Sequence, residues 1–266
     1  MNLVDVHCHI NHELFKGKIE EVLERAKQAG LKAILVSGVN PENNREVLAL
    51  SKKYSLIKAS LGIYPIDALG LAPDAIGLPS HKGKINLQEE FAFIEKNLKD
   101  VTAIGEVGMD FHWTTKEETG VEQEENFRKI IQFAKKVKKP LITHTRKAER
   151  ESIEILSQEI KNKEIPIINH CFSGRKSVIK QAADLGHYFS IPANIVKAQN
   201  FQVLVEMVSI TQLLTETDAP WLTPYEGKPS EPSYVLESIK LIAKIKGISV
   251  EETALLIWKN YCTIFS

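Results

Sequence analysis

The sequence has few cysteines, no excess of charge of either sign and no long apolar run. Its three cysteines, Cys8, Cys171 and Cys262, form no Cys-x-x-Cys pair, so neither a disulfide framework nor a thiolate zinc finger is predicted. Lys+Arg and Asp+Glu both number 34, which excludes a global basic surface for nucleic acid or an anionic membrane. No apolar run approaches the roughly 20 residues that span a bilayer, and the first residues lack the basic and apolar regions of a signal peptide. These absences predict a cytoplasmic chain that uses no membrane, and no obligate protein partner is evident.

Length and composition are those of an ordinary globular protein. Of the 266 residues, 43% are hydrophobic and 26% are charged. A chain of this size can bury a large core within one barrel-sized unit. We therefore predict a single domain over residues 1–266.

Short β-branched runs alternate with amphipathic stretches along the whole sequence. The runs predict eight strands, at residues 3–6, 33–37, 57–62, 101–106, 140–144, 166–170, 188–192 and 212–217. The stretches predict helices at residues 18–29, 42–53, 87–98, 122–137, 149–161, 176–185, 232–246 and 250–258. This alternation indicates βαβ units with parallel pairing, and eight units in about 260 residues are typical of an α/β fold, the (β/α)8 barrel. An open doubly wound sheet is the alternative, although no Gly-x-Gly-x-x-Gly follows a strand.

The longest irregular segment, residues 64–84, follows the third predicted strand. It contains three prolines and three glycines, and segments of this kind often shape access to a site.

Imidazoles and carboxylates recur at the carboxyl ends of the predicted strands. His7 and His9 lie two residues apart at the end of the first strand, so their side chains project from the same face. Later strand ends supply four more candidates: Glu106, His144, His170 and Asp218. Because the carboxyl ends of barrel strands share one face, we expect these six side chains to converge there.

Four imidazoles and two carboxylates suit two divalent ions, Zn²⁺, Mg²⁺ or Mn²⁺, better than a redox cluster. A water held between two such ions becomes hydroxide near neutral pH, because its pKa falls from about 15.7 towards about 7. That hydroxide can attack a phosphodiester or a carbonyl. Glu106 is the predicted bridging ligand, and Asp218 is predicted to orient the water and accept its proton, so these two are the predicted catalytic residues.

Each of these residues also has a purely structural interpretation. A single buried histidine is more often a hydrogen-bonded core residue than a ligand, and it is the recurrence at strand ends that favours metal binding. The four remaining histidines lie away from strand ends and are interpreted as structural: His12, His81, His112 and His187. Cys8 and Cys171 are interpreted as inert packing residues, and Asp5 either as an acceptor behind the ligands or as a polar residue at the base of its strand.

Four segments carry a pattern shared with a known family: Val4-Asp5-Val6-His7-Cys8-His9, Ile104-Gly105-Glu106-Val107-Gly108-Met109-Asp110, His170-Cys171-Phe172-Ser173-Gly174 and Leu214-Thr215-Glu216-Thr217-Asp218-Ala219-Pro220-Trp221-Leu222. In this order, and over nearly the whole chain, they resemble the TatD-related metal-dependent hydrolases of the amidohydrolase superfamily. The resemblance implies a barrel with a two-metal site, and DNA cleavage as the best-known activity. It also implies a ligand assignment, in which the first ion is held by His7, His9 and Asp218, the second by His144 and His170, and both by Glu106.

Three positions depart from the family pattern. Tyr64 stands where many members carry His, Pro229-Ser230-Glu231-Pro232 stands in place of Arg-Asn-Glu-Pro, and Lys147 stands where an acidic residue is common. None of these is a proposed metal ligand. We therefore expect the metal chemistry to be intact, while the substrate is left open.

Three residues are candidates for substrate binding. Arg146 has the donor fork that suits phosphate, although an exposed arginine in a salt bridge would look the same. Ser173 precedes a predicted helix, where backbone N–H groups can bind an anion or Ser173 can act as N-cap. Tyr64 is placed to stack on a base or to pack.

Three functions are compatible with this pattern. The leading hypothesis is a two-metal phosphodiesterase that acts on DNA, at the 3′ end of a strand. The alternative is a hydrolase of small-molecule amides, esters or lactones with the same metal site, which neutral net charge fits slightly better. A metal-binding scaffold without catalysis, which docks a partner, is the third.

Overall fold

The computed structural model describes residues 1–73 and 77–265, so residues 74–76 of the predicted irregular segment lie outside the described residues. Eight strands form one sheet in sequence order: β1 (Leu3–Cys8), β2 (Leu31–Ser37), β3 (Ile57–Leu61), β4 (Val101–Gly108), β5 (Leu141–His144), β6 (Ile167–His170), β7 (Tyr188–Pro192) and β8 (Leu213–Glu216). The described helices are α1 (Ile19–Ala29), α2 (Pro41–Lys53), α3 (Pro65–Ala68), α4 (Leu87–Lys96), α5 (Lys116–Val137), α6 (Glu149–Glu159), α7 (Lys176–Asp184), α8 (Gln199–Met207), α9 (Val235–Lys246) and α10 (Val250–Phe265).

The chain divides into two compact units. The first comprises Met1–Val36 together with His170–Ser266, and the second comprises Ser37–Asn169. The boundaries fall near the ends of β2 and β6, so each unit carries parallel strands and the helices that follow them. The prediction of one domain over residues 1–266 stays a prediction.

In the first unit, β1 lies between β2 and β8. Its parallel register with β2 pairs Leu3 with Leu31 and Asp5 with Ile34. On its other side, the Thr215 hydroxyl donates to the Val4 carbonyl at 2.7 Å. All six residues of β1 are buried, which explains why apolar residues dominate the strand. The first and last strands are therefore neighbours, as in a barrel and unlike an open doubly wound sheet.

In the second unit, β3, β4, β5 and β6 pair in parallel. Leu61 pairs with Ile104, Gly108 with His144, and Thr143 with Asn169. This register brings the carboxyl ends of β4 and β5 side by side. The ends of these two strands carry Glu106 and His144.

Some elements differ in extent from the sequence prediction. β1 and β4 run two residues further than predicted, and α10 reaches Phe265. α5 begins six residues before the predicted start, because Thr115 and Glu118 form a capping box there. α8 was not predicted. Among the described residues, no helix has both the length and the apolar character needed to cross a membrane.

Candidate metal centre

The first group of candidate ligands lies in the first unit, where β1 ends. His7 is the fifth residue of β1, and His9 follows the strand directly; the two side chains are 0% and 2% exposed. Their rings meet edge to face with centroids 5.0 Å apart, and the two Nε2 atoms are 3.2 Å apart. The i, i+2 spacing thus turns both imidazoles towards the same point, as the sequence predicts.

Asp218 faces the same point from the end of β8. Its backbone N–H donates to the His7 carbonyl at 3.0 Å, and its Oδ1 lies 3.5 Å from His7 Nε2 and 3.7 Å from His9 Nε2. A tetrahedral ion with ligand bonds of about 2.1 Å has ligand atoms about 3.4 Å apart. Two imidazole nitrogens and one carboxylate oxygen therefore have the spacing and the chemistry of ligands around one divalent ion.

His170, at the end of β6, packs against this group. Its ring stacks on that of His7 with centroids 3.8 Å apart, and its Nδ1 lies 3.5 Å from Glu216 Oε2. His7, His170 and Glu216 each offer a ligand atom, and these three atoms lie within 4.8 Å of one another. Glu216 is a site residue that the sequence analysis missed. Its signal in the sequence was its place two residues before Asp218, at the end of the predicted eighth strand.

Glu216 is buried and held on both carboxylate oxygens. Oε1 accepts from the Cys171 N–H at 2.9 Å and from its thiol at 2.7 Å, and Oε2 accepts from the Ser190 hydroxyl at 2.5 Å. Burial raises the pKa of Glu216, but the neighbouring His170 and the thiol of Cys171 outweigh it, so its pKa is lowered. The Cys171 thiol has a pKa well above its usual value because it is buried beside this carboxylate, which agrees with its interpretation as an inert residue.

The backbone is left-handed at one candidate ligand and at a residue next to another. Cys171, next to His170, has φ 45°, and Asp218 has φ 51°. Residues with side chains seldom adopt this conformation, and such positions concentrate at functional sites.

The second group of candidate ligands lies in the second unit, where β4 and β5 end. Glu106 on β4 and His144 on β5 are 4% exposed and half-buried, respectively. Glu106 Oε1 lies 2.7 Å from His144 Nδ1. On the other side of the ring, His144 Nε2 lies 2.8 Å from Asp110 Oδ2.

Asp110 is a buried carboxylate that the sequence analysis did not select. Its Oδ2 accepts from the Tyr64 hydroxyl at 2.5 Å, and its Oδ1 accepts from the backbone N–H groups of His112 at 2.6 Å and Trp113 at 3.3 Å. Burial raises the pKa of Asp110, but the hydrogen bonds from His144 and Tyr64 outweigh it and lower the pKa. The pKa of Tyr64 is raised well above its usual value, because the phenol is buried next to this carboxylate. The only sequence signal for Asp110 was its place in the fourth-strand motif.

The structure places the three predicted substrate residues differently from one another. Arg146 is exposed just beyond β5. Tyr64 is half-buried, with its ring edge to face against His144 at 4.8 Å. The prediction that Ser173 caps a helix is wrong, because α7 begins at Lys176 with Arg175 in the N-cap position. The Ser173 hydroxyl instead donates to the Cys171 carbonyl at 3.2 Å.

The remaining histidines have other surroundings. His12 accepts from the Leu14 N–H, and its ring meets that of Trp221 edge to face. His81 pairs with Glu42, and His112 lies against Trp113. His187 is buried, and burial lowers its pKa to about 4.

The chain is similar in sequence to proteins from all domains of life. A family described as TatD related DNase matches residues 4–266. A metal-dependent hydrolase of Methanocaldococcus jannaschii, MJ1582, is 34% identical over 98% of this chain and 96% of its own length. The deoxyribonuclease TATDN3 of Homo sapiens is 32% identical over 100% of this chain and 95% of its own, and the metal-dependent hydrolase YabD of Bacillus subtilis is 32% identical over 99% and 98%.

Solved structures share its fold. The TatD homologue YJJV of Escherichia coli superposes with a TM-score of 0.85 at 25% identity, over 99% of this chain and 97% of its own. A TatD family hydrolase of Entamoeba histolytica gives a TM-score of 0.83 at 19% identity, over 99% and 97%. The phosphotriesterase homology protein of Escherichia coli superposes with a TM-score of 0.63 at 12% identity, over 100% of this chain and 98% of its own. Together with the strand order, these likenesses confirm the predicted (β/α)8 barrel.

Proposed function

The chain belongs to the TatD-related DNase family, and from this premise we propose that it hydrolyses phosphodiester bonds in DNA, acting at the 3′ end of a strand. Membership of this family means that the chain is a metal-dependent hydrolase, since relatives matched over nearly their whole length carry that description. The deoxyribonuclease name of the human relative supports DNA as the substrate. A cytoplasmic location without an obligate protein partner stays a prediction from the sequence.

We propose that two divalent ions, Zn²⁺, Mg²⁺ or Mn²⁺, are held by the six residues predicted from the sequence. The proposed set consists of His7, His9, Glu106, His144, His170 and Asp218, with Glu106 shared between the ions. The first ion is supported by one observation: His7 Nε2, His9 Nε2 and Asp218 Oδ1 are separated by 3.2, 3.5 and 3.7 Å. Three such atoms, all able to bind a cation, fit around one ion.

Each side chain then has a defined task in hydrolysis. Divalent ions bound at such a site lower the pKa of a water and offset negative charge that develops on phosphate oxygens. The carboxylate of Asp218 orients the attacking water and accepts its proton. Arg146, exposed beside β5, binds the phosphate of the substrate, while Tyr64 and Ser173 contact the rest of it.

Hydrolysis of a small amide, ester or lactone is the second candidate. The observation that favours it is the balance of 34 basic and 34 acidic residues, which gives no overall attraction for a polyanion. The same ions and the same Asp218 would serve, with a carbonyl carbon in place of phosphorus.

The test is incubation with single-stranded DNA labelled at either the 3′ or the 5′ end, with Mg²⁺, Mn²⁺ or Zn²⁺ added after chelation. We expect early release of the 3′ label, and loss of at least about 100-fold in rate for Asp218→Asn, because proton transfer by a positioned side chain contributes on that order. Asp184→Asn is the matched control, since Asp184 is exposed and pairs only locally with Lys180. Absence of cleavage with all three ions, together with turnover of a carbonyl substrate, would favour the second candidate.

A further inference from the structure

We propose that Tyr64 and Asp110 are positioning residues that fix the ring orientation and the tautomer of His144, so that Nδ1 is the atom presented to a metal ion. The inference deepens the proposed function and rests on its assignment of His144 as a ligand. It adds two residues that the ligand set does not contain, and it concerns metal binding, which is measurable without any substrate.

The first step is the direction of the His144–Asp110 hydrogen bond. Asp110 Oδ2 lies 2.8 Å from His144 Nε2, and the same carboxylate already accepts from the Tyr64 hydroxyl and from two backbone N–H groups, so it is the acceptor towards His144 as well. Nε2 must therefore carry the hydrogen. In the neutral imidazole, the lone pair is then on Nδ1.

The second step is what Nδ1 faces. Glu106 Oε1 lies 2.7 Å from it, and a carboxylate oxygen is an acceptor as well. Two acceptor atoms this close repel each other unless a positive charge, either a proton or a cation, lies with them. A divalent ion meets this need, because it is bound by a neutral imidazole nitrogen and a carboxylate oxygen together. A carboxylate on the far nitrogen of a ligating histidine is a common way to orient the ring.

The third step is that Asp110 itself cannot turn away. Its Oδ1 is held by the N–H groups of His112 and Trp113. The side-chain amide of Gln123 bonds both the N–H and the carbonyl of Asp110, at 2.7 and 2.9 Å. Asp110 is therefore fixed at its backbone and at one carboxylate oxygen. The other oxygen, Oδ2, is held in place to accept from His144 and Tyr64.

Tyr64, which lies three residues beyond the end of β3 and precedes α3, completes the arrangement. Its hydroxyl donates to Asp110 Oδ2 at 2.5 Å, and its ring meets the His144 ring at 69°. The hydroxyl keeps Oδ2 in the plane where it accepts from His144, and the phenol ring limits rotation of the imidazole. This role differs from contact with substrate, because it acts before any substrate is bound.

The test is calorimetric titration of the metal-free protein with Zn²⁺. The wild type is expected to bind two ions per chain. Asp110→Asn should lower the affinity for one of the two ions by about 10–100-fold and leave the affinity for the other unchanged. This is the range observed when such partners of a ligating histidine are replaced. Tyr64→Phe keeps the ring and removes the hydroxyl. It should lower the affinity for the same ion by about ten-fold, at the lower end of that range. Tyr225→Phe is the matched control, because its hydroxyl also bonds a carboxylate, that of Glu237, on an exposed part of the first unit.

Circular dichroism and thermal melts without metal show whether each variant folds. If Asp110→Asn does not fold, the Tyr64→Phe variant alone tests the inference. Wild-type affinity for both ions in Tyr64→Phe and in Asp110→Asn would overturn the inference. His144→Ala separates this failure from that of the proposed site: if His144→Ala also leaves both ions bound, the ligand assignment is wrong, whereas if it removes one ion, only the positioning role is wrong. Weakened metal binding in a protein that cleaves no DNA would support the inference and refute the DNA substrate.

Discussion

At the scale of single residues, Gly108 decides how close β4 and β5 can approach. Its φ is 142°, and a Cβ built on it would lie 2.0 Å from the carbonyl oxygen of His144. The next residue, Met109, donates its N–H to that same carbonyl at 3.0 Å. A side chain at position 108 would therefore displace the backbone of His144, and not merely a flexible neighbour.

We expect Gly108→Ala to lower the free energy of unfolding by about 3 kcal/mol or more, since backbone strain adds to overpacking. The substitution should also lower the affinity for the ion assigned to His144. Chemical denaturation and a Zn²⁺ titration measure the two effects. Gly227→Ala is the control, because Gly227 also has a positive φ, 69°, but nothing lies within 4 Å of the added Cβ. The Gly227→Ala control should lower the free energy of unfolding by only about 1 kcal/mol and leave metal binding intact. Equal losses of stability in the two variants would show that the close approach of β4 and β5 at Gly108 is not the cause.

The proposed ligand residues could be selected from the sequence, while Asp110 and Glu216 could not. His7, His9 and Asp218 stand out as candidate ligands because few residue types bind metal ions and these three lie at predicted strand ends. Asp110 and Glu216 have the same residue types as any surface carboxylate, and only the folded chain shows that they are buried against His144 and His170.

At the scale of elements, side-chain hydrogen bonds join β1 to β8. Asp5 on β1 is fully buried; its Oδ1 accepts from the Thr217 N–H at 3.1 Å, and its Oδ2 is 2.5 Å from the Thr217 hydroxyl. Burial raises the pKa of Asp5 well above its usual value, although these hydrogen bonds oppose the shift. Asp5 also accepts from the His7 N–H at 3.2 Å, so it joins the end of β1 to the residues that directly follow β8.

We expect Thr217→Val to lower the free energy of unfolding by about 1–3 kcal/mol, because a buried carboxyl group loses a hydrogen-bond partner. Thr215→Val is the matched comparison: it removes a bond of the same strand pair, but to the backbone carbonyl of Val4. We expect about 1 kcal/mol for that change. Urea denaturation of both variants measures the difference, and a larger loss for Thr215→Val would contradict the importance given to Asp5.

The elements themselves were predictable where the hydrophobic pattern is strong. All eight strands appear close to their predicted positions, because buried parallel strands are continuous β-branched runs. The start of α5 was missed because residues 116–121 include Gly120 and few apolar residues, so periodicity gave no signal there. α7 begins at Lys176, as predicted, but the N-cap assignment of Ser173 was wrong, because the N-cap directly precedes the helix and is Arg175.

At the scale of the whole molecule, the balance of charges limits how DNA can be attracted. Since 34 basic residues face 34 acidic ones, binding of a polyanion must rely on a few local contacts. Arg146, exposed beyond β5, is the proposed phosphate contact. A small number of phosphate contacts implies a shallow dependence of binding on salt.

We expect the logarithm of the apparent affinity for single-stranded DNA to fall linearly with the logarithm of salt concentration. Arg146→Gln should reduce the slope by about 0.7, the contribution of one phosphate contact on a single strand. Fluorescence anisotropy with a labelled oligonucleotide, across a series of salt concentrations, gives the slope. Lys180→Gln is the control, because Lys180 is exposed on α7 and paired with Asp184. An unchanged slope in Arg146→Gln would remove this residue from the DNA contacts.

The pairing of β1 with β8 has a consequence for synthesis of the chain. The hydrogen bond from Thr215 to Val4 spans 211 positions of the sequence. At a ribosomal rate of about 5–20 residues per second, roughly 10–40 s separate the emergence of these two strands. Throughout that interval, the strand that carries His7 and His9 has one unpaired edge, and such an edge readily recruits strands from other molecules. We therefore expect slower synthesis, or a higher concentration of other nascent chains, to increase pairing of this first strand with other molecules before its last strand emerges.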